Sequence, residues 1–166
     1  MTLIATAGKP PPVPLPCHHN QTQGRRMPQE TNFAGFANPV NPQPEELRQW
    51  AYDANAGPPK VGTEWDLVLA DDSLMPTLVA LAADPVCPKR TFALHCLYLY
   101  AADAVRTGFR AHPRRRVKKL LDQANETGDA WVKLWVTNTK ALIADPNLFD
   151  YREWCQGGLA RRPRRL

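Results

Sequence analysis

No stretch of this sequence approaches the roughly 18 apolar residues needed to cross a bilayer. The opening segment MTLIATAGKPPPVPLPC carries an apolar patch too short for a secretory signal. A spanning protein and a secreted one are therefore both disfavoured, and the expected address is the cytoplasm, with no membrane partner. Cysteine is scarce as well. Cys17, Cys87, Cys96 and Cys155 are scattered rather than framed, which reads as free thiols in a reducing compartment and not as a disulfide scaffold.

Metal-ligand spacing is missing too. A zinc site draws on cysteine pairs two to four residues apart or on histidine pairs at helical spacing. Cys87 and Cys96 are too far apart for that, and His95 and Cys96, adjacent on one expected helix, point about 100° away from each other. Cys96 reads as a small buried hydrophobe. Cys17-His18-His19 is a local cluster, but it falls in a proline-rich leader. No metal and no cofactor are expected. Nor is there a phosphate-cradling loop: TGF, ETGD and QGGL are single turns at helix ends. Gly-x-Ser-x-Gly and the local cysteine-protease signatures are absent, so no catalytic residue is assigned and an enzyme is disfavoured.

What is present suits one soluble domain with an unusual beginning. Of 166 residues, 43% are apolar and 22% charged, the balance of a globular chain. More than half of the seventeen prolines fall before residue 45, where apolar residues show no period. Residues 1–43 therefore read as a disordered proline-rich leader that cannot bury enough surface to offset its ordering. Met27 is a plausible alternative beginning, which would make residues 1–26 an over-extended start. About 115 residues remain, enough for a core without disulfide or metal.

From residue 44 the signals are helical. Pro44, Glu45 and Glu46 suit a first turn, with Leu47, Trp50 and Ala51 at helical spacing behind them. A second element near Thr63, with Trp65, Leu67, Val68 and Leu69, is too short to separate from a strand by pattern. A third runs from about Ser73 to Ala83, with Pro76 in its first turn. The longest is expected from Pro88 to Thr107, stopping at Gly108 and apolar nearly all round, hence central. Pro113 opens a fifth with Val117, Leu120, Leu121 and Ala124 as its inner stripe. Asp129 caps a sixth, AWVKLWVTNTKALIA. A short FDYREWCQ helix should stop at Gly157 and Gly158. The expected fold is all-α, a compact bundle of five or six helices over residues 44–158, with a basic tail at 159–166.

ALAADP at 80–85 and ALIADP at 141–146 each end a helix in Asp-Pro, with Arg90 and Arg152 downstream. The pattern is similar to the corner of HEAT-type helical repeats. The two corners lie farther apart than one repeat of that type, and helix-stop chemistry accounts for both, since a residue before proline leaves the helical region whatever the fold.

Two surfaces invite a functional reading. Trp131 and Trp135 stand at i, i+4 on a helix whose apolar arc is wide enough to touch two neighbours. If one neighbour lies outside the chain, this arc would take a protein partner or a second copy. The other surface is electrostatic. Residues 1–43 hold three bases and one acid, 44–104 four bases and nine acids, and 105–166 fourteen bases and six acids. Arg106, Arg110, Arg114, Arg115, Arg116, Lys118 and Lys119 form a run without an acid, and Arg161, Arg162, Arg164 and Arg165 form the tail. Such runs are most often solvated faces. This one opens a helix, where cations oppose the macrodipole by about 0.3 to 1 kcal/mol each, while Asp122 and Glu126 sit late in it and oppose the dipole too. A helix charged against its own dipole suggests a bound anion. Asp103, with Arg106 three residues on, is expected as a helix-end ion pair.

Two functions follow as expectations. One is a small cytosolic non-enzymatic binding or adaptor protein that meets a protein partner or its own copy. The alternative is a nucleic-acid- or phosphate-binding regulator that uses the basic helix start and the arginine tail.

Overall fold

The structure, a computed structural model, describes residues 31–32, 35–61 and 64–161. The proline-rich run, Thr63, Arg162, Arg164 and Arg165 lie outside the described residues. The fold is all-α. Among the described residues, five helices of nine residues or more form its frame: α1 (Pro44–Tyr52), α3 (Met75–Ala83), α4 (Arg90–Arg106), α5 (Arg114–Glu126) and α6 (Ala130–Ala144). Three short helices fill the corners: α2 (Trp65–Leu69), α7 (Tyr151–Trp154) and α8 (Gly158–Arg161). A two-residue parallel pairing joins β1 (Thr31–Asn32) to β2 (Ala56–Gly57).

α4 is the centre, as its all-round apolar sequence requires. It packs against α3, α6, α5 and the three short helices, and buries Leu94, Cys96, Leu97, Tyr98 and Tyr100. Trp135 of α6 locks the contact of α4 with α6: it is 0% exposed, and its indole N–H donates to the Leu97 carbonyl at 2.9 Å. α4 ends in two left-handed residues, Gly108 at φ 60° and Phe109 at φ 64°. The glycine adopts this freely; the phenylalanine does so at a cost of about 1–2 kcal/mol, offset by packing of its ring on the core. This corner turns the chain back so that α5 lies along α3, α4 and α6.

The element resembling either helix or strand is helical because Trp65 and Leu69, at i and i+4, are both buried. Residues 35–43, expected as part of a leader, pack on the helices. Phe36 packs edge-on to Trp65 with centroids 5.2 Å apart, the Trp65 indole donates to the Pro39 carbonyl at 2.9 Å, and Ala37 N–H donates to the Glu46 carboxylate. Residues 35–43 therefore belong to the folded body, held by an aromatic cluster of Trp50, Trp65 and Phe92. The far end shifts as well. Gly157, at φ 77°, stops α7, but Gly158 opens α8, in which Ala160 is buried, so residues 159–161 are part of the domain.

Both Asp-Pro corners show the same stop. Asp84 accepts from Val86 N–H and Asp145 from Asn147 N–H. Arg90 then ties the first corner to α6, donating from Nε to the Ala82 carbonyl and from Nη2 to Asp129 at 2.6 Å. No helix among the described residues is long and apolar enough to cross a membrane.

Candidate functional site

The basic run is built around one amphipathic helix. Val117, Leu120, Leu121 and Ala124 of α5 point into the core, which leaves Arg114, Arg115, Arg116, Lys118 and Lys119 exposed. No acid stands in the first turn. Arg114 lies over the Phe109 ring at 5.1 Å, Arg106 over Phe149 at 5.1 Å, and Arg110 donates from Nε to the Thr107 carbonyl. Within this run Arg116 is ion-paired, to Asp72. Arg114, Arg115, Lys118 and Lys119 have no ion pair among the described residues. Arg161 is not brought to this face: it sits on α8 and lines another cavity with Asp66, His95 and Cys155.

The aromatic arc divides. Trp135 is consumed inside the fold and offers no surface, a correction to its reading as a docking residue: the second neighbour of α6 is α4 of the same chain. Trp131 is half-buried under the Arg90 guanidinium at 4.6 Å.

Beside the basic helix lies a polar cluster that the sequence did not reveal. Asp71 Oδ1 accepts from Ser73 N–H at 2.8 Å and Ser73 O–H at 2.6 Å, a tight turn ahead of α3. The turn presents Asp72 to three donors: Tyr100 O–H at 2.8 Å, the His112 Nδ1 edge at 3.0 Å and Arg116 Nη1 at 2.6 Å. Burial works to raise the Asp72 carboxyl, but the hydrogen bonds from Arg116, Tyr100 and His112 outweigh it, and the carboxyl lies below its usual range. Burial, then the bond to Asp72, pushes the Tyr100 phenol up. His112 is buried, its ring 4.2 Å from that of Tyr100, and its Nε2 lies 3.2 Å from Asp103 Oδ2.

Asp103 thus faces His112 rather than Arg106, which lies over Phe149 instead. The carboxylate remains at the surface, 52% exposed. A carboxylate thus faces each ring nitrogen of His112, Asp72 at Nδ1 and Asp103 at Nε2. The cluster is built to hold Arg116 and the entry to α5 in place.

A second histidine is placed differently. His95 Nε2 meets Asp66 Oδ2 at 3.0 Å, and its Nδ1 is buried without a hydrogen-bond partner. Cys155 shares that cavity, but burial pushes its thiol up, away from thiolate character. Cys87 and Cys96 are buried free thiols, and burial raises both. Among the described residues, no three His, Cys, Asp or Glu side chains converge as metal ligands.

The missed residues, Tyr100 and His112, are separated by 28 and 40 positions from Asp72. The Asp-Asp-Ser turn and the His-Pro dipeptide before α5 are the local traces of this cluster. Comparison with protein-family models, with curated proteins and with solved structures returns no match.

Proposed function

We propose that this protein is a non-enzymatic binding module whose α5 face takes the phosphate backbone of a nucleic acid. The observation that carries the reading is the arrangement of charge on α5. Arg114, Arg115, Lys118 and Lys119 are exposed on one helix start, without ion pairs among the described residues. Arg116 beside them is oriented by Asp72. A solvated face needs no anchored guanidinium, whereas a phosphate-binding face gains from one, because less side-chain freedom is forfeited on binding. Phe109 and Phe149 lie under Arg114 and Arg106, which suits backbone contact more than base stacking on these rings. The free thiols of Cys87, Cys96 and Cys155 fit a cytosolic address.

The test is fluorescence anisotropy with a short random-sequence duplex. Affinity should fall steeply with salt, since neutralising phosphates releases counterions. Binding that ignores salt would contradict the reading.

A second reading, a protein partner or a second copy of the chain, has its own support. Leu67 and Tyr151, both 55% exposed, line a cavity of about 420 Å³ with Leu99 and Ala102. Mass that rises with concentration at high salt, and falls back in Leu67→Ser, would favour it.

A further inference from the structure

The cavity between the Asp71–Ser73 turn, α3 and α5 is a candidate ligand site in its own right. Its volume is about 610 Å³, within the range of small-molecule sites. Met75, Pro76 and Leu120 give its lining an apolar part, and Lys119, Arg116 and Asp71 give it both signs of charge. On the α5 side, the Arg116 guanidinium is pinned through Nη1 by Asp72, which leaves the remaining donors of its fork uncommitted. Lys119, one turn on, has no ion pair among the described residues. Asp71, from the turn ahead of α3, lines the same cavity; it spends Oδ1 on Ser73, while Oδ2 has no hydrogen bond or ion pair among the described residues.

Asp72 is not available to a ligand, because Tyr100, His112 and Arg116 already occupy it. Its part is to position Arg116. A simple anion would be drawn to Arg116 and Lys119 but opposed by Asp71. A simple cation would meet the converse. A molecule that carries both an anionic group and an ammonium satisfies both charges at once.

We infer that this cavity binds a small zwitterion, its phosphate or carboxylate on Arg116 and Lys119 and its primary ammonium on Asp71. The inference does not rest on nucleic-acid binding, which draws on Arg114, Arg115 and Lys118 as well.

Calorimetric titration with O-phosphoethanolamine, β-alanine, inorganic phosphate and ethanolamine tests it. O-phosphoethanolamine or β-alanine should bind at least about tenfold more tightly than inorganic phosphate or ethanolamine, since each half-ligand forgoes one charge-assisted hydrogen bond. The stronger of the two zwitterions identifies the anionic group. Lys119→Gln, an exposed substitution that leaves the fold intact, should weaken the zwitterion about tenfold, and Asp71→Asn should erase its advantage over the half-ligand. Circular dichroism confirms that the Asp71 variant is folded; if it is not, the Lys119 arm decides alone. Arg114→Gln/Arg115→Gln/Lys118→Gln should leave the zwitterion affinity unchanged while weakening the duplex, which separates this site from the nucleic-acid face. Equal affinity for inorganic phosphate and O-phosphoethanolamine, or no heat with any of the four, overturns the inference.

Discussion

Arg116 Nη1 lies 2.6 Å from Asp72 Oδ2, across 44 residues of sequence. The pairing joins the start of the basic helix to the turn ahead of α3, and it makes Asp72 the hinge-pin of a cluster that also takes Tyr100 and His112. Asp72→Asn should destabilise the protein by about 1–3 kcal/mol, the usual cost of weakening the partner of buried donors, here Tyr100 and His112. The pH dependence has a definite sign. The folded Asp72 carboxyl lies below its ordinary value of 3.8, so its contribution is fully present above that value and is lost as pH falls through the lower folded one. Urea titrations of parent and variant should differ at neutral pH and converge in strong acid. A gap that persists unchanged there would show that the charge of Asp72 is not what stabilises the cluster.

Trp135 is the second point of leverage. Trp135→Phe removes the indole donor to the Leu97 carbonyl and some buried area, at a cost of about 1–3 kcal/mol by thermal or urea unfolding. Its effect on partner or duplex binding, measured under folded conditions, should be nil. A loss of binding with stability intact would restore the aromatic arc as a docking surface.

Tyr52 donates to Asp84 at the first Asp-Pro corner, and this bond, ahead of burial, pushes its phenol up to about 12 from 10.0. A raised folded value means that the contribution is present below the unfolded value and fades as pH rises through about 12. Tyr98 is also pushed up to about 12, chiefly by burial. Ultraviolet titration of Tyr52→Phe should lose one of the late phenolate steps and keep that of Tyr98. An unchanged late step would mean that the Tyr52–Asp84 bond does not form in solution.

The amino-terminal boundary makes a simpler prediction. A chain beginning at residue 44 loses Phe36 from Trp65 and the Pro39 carbonyl from the Trp65 indole. Its melting point should fall a few degrees below that of a chain beginning at residue 35, about what 1 kcal/mol means for a domain of this size. Equal melting points would return the boundary to residue 43.

The helices were legible where their signals are local. Pro44 opens α1, Gly108 and Gly128 end α4 and α5 with positive φ, and Asp129 caps α6 by accepting from Trp131 and Val132 N–H. The site was not legible, because nothing local to Asp72 specifies Tyr100, His112 or Arg116. The His112 and Arg116 pairings exist only once the Gly108–Phe109 corner folds α5 back along α3, and the Tyr100 pairing only once α4 packs on α3. Asp103 shows the same limit: helical spacing offers Arg106, yet His112, buried and brought in from the returning chain, stands closer to its carboxylate. Composition also misled at the leader, where proline density masked Phe36, the anchor that fastens residues 35–43 to Trp65.

Whether α5 meets phosphates is decided by a single triple variant. Arg114→Gln/Arg115→Gln/Lys118→Gln spares Arg116 and therefore the Asp72 cluster, so the fold is kept, and stability should hold or rise slightly as charges that oppose the helix dipole are removed. Duplex affinity is measured across a salt series for parent and variant. The parent should show a steep negative slope of log affinity against log salt, and the variant a weaker affinity with a slope smaller in magnitude by up to about 0.9 for each phosphate no longer neutralised. A variant that matches the parent in affinity and slope, or a parent without salt-sensitive binding, would contradict the account.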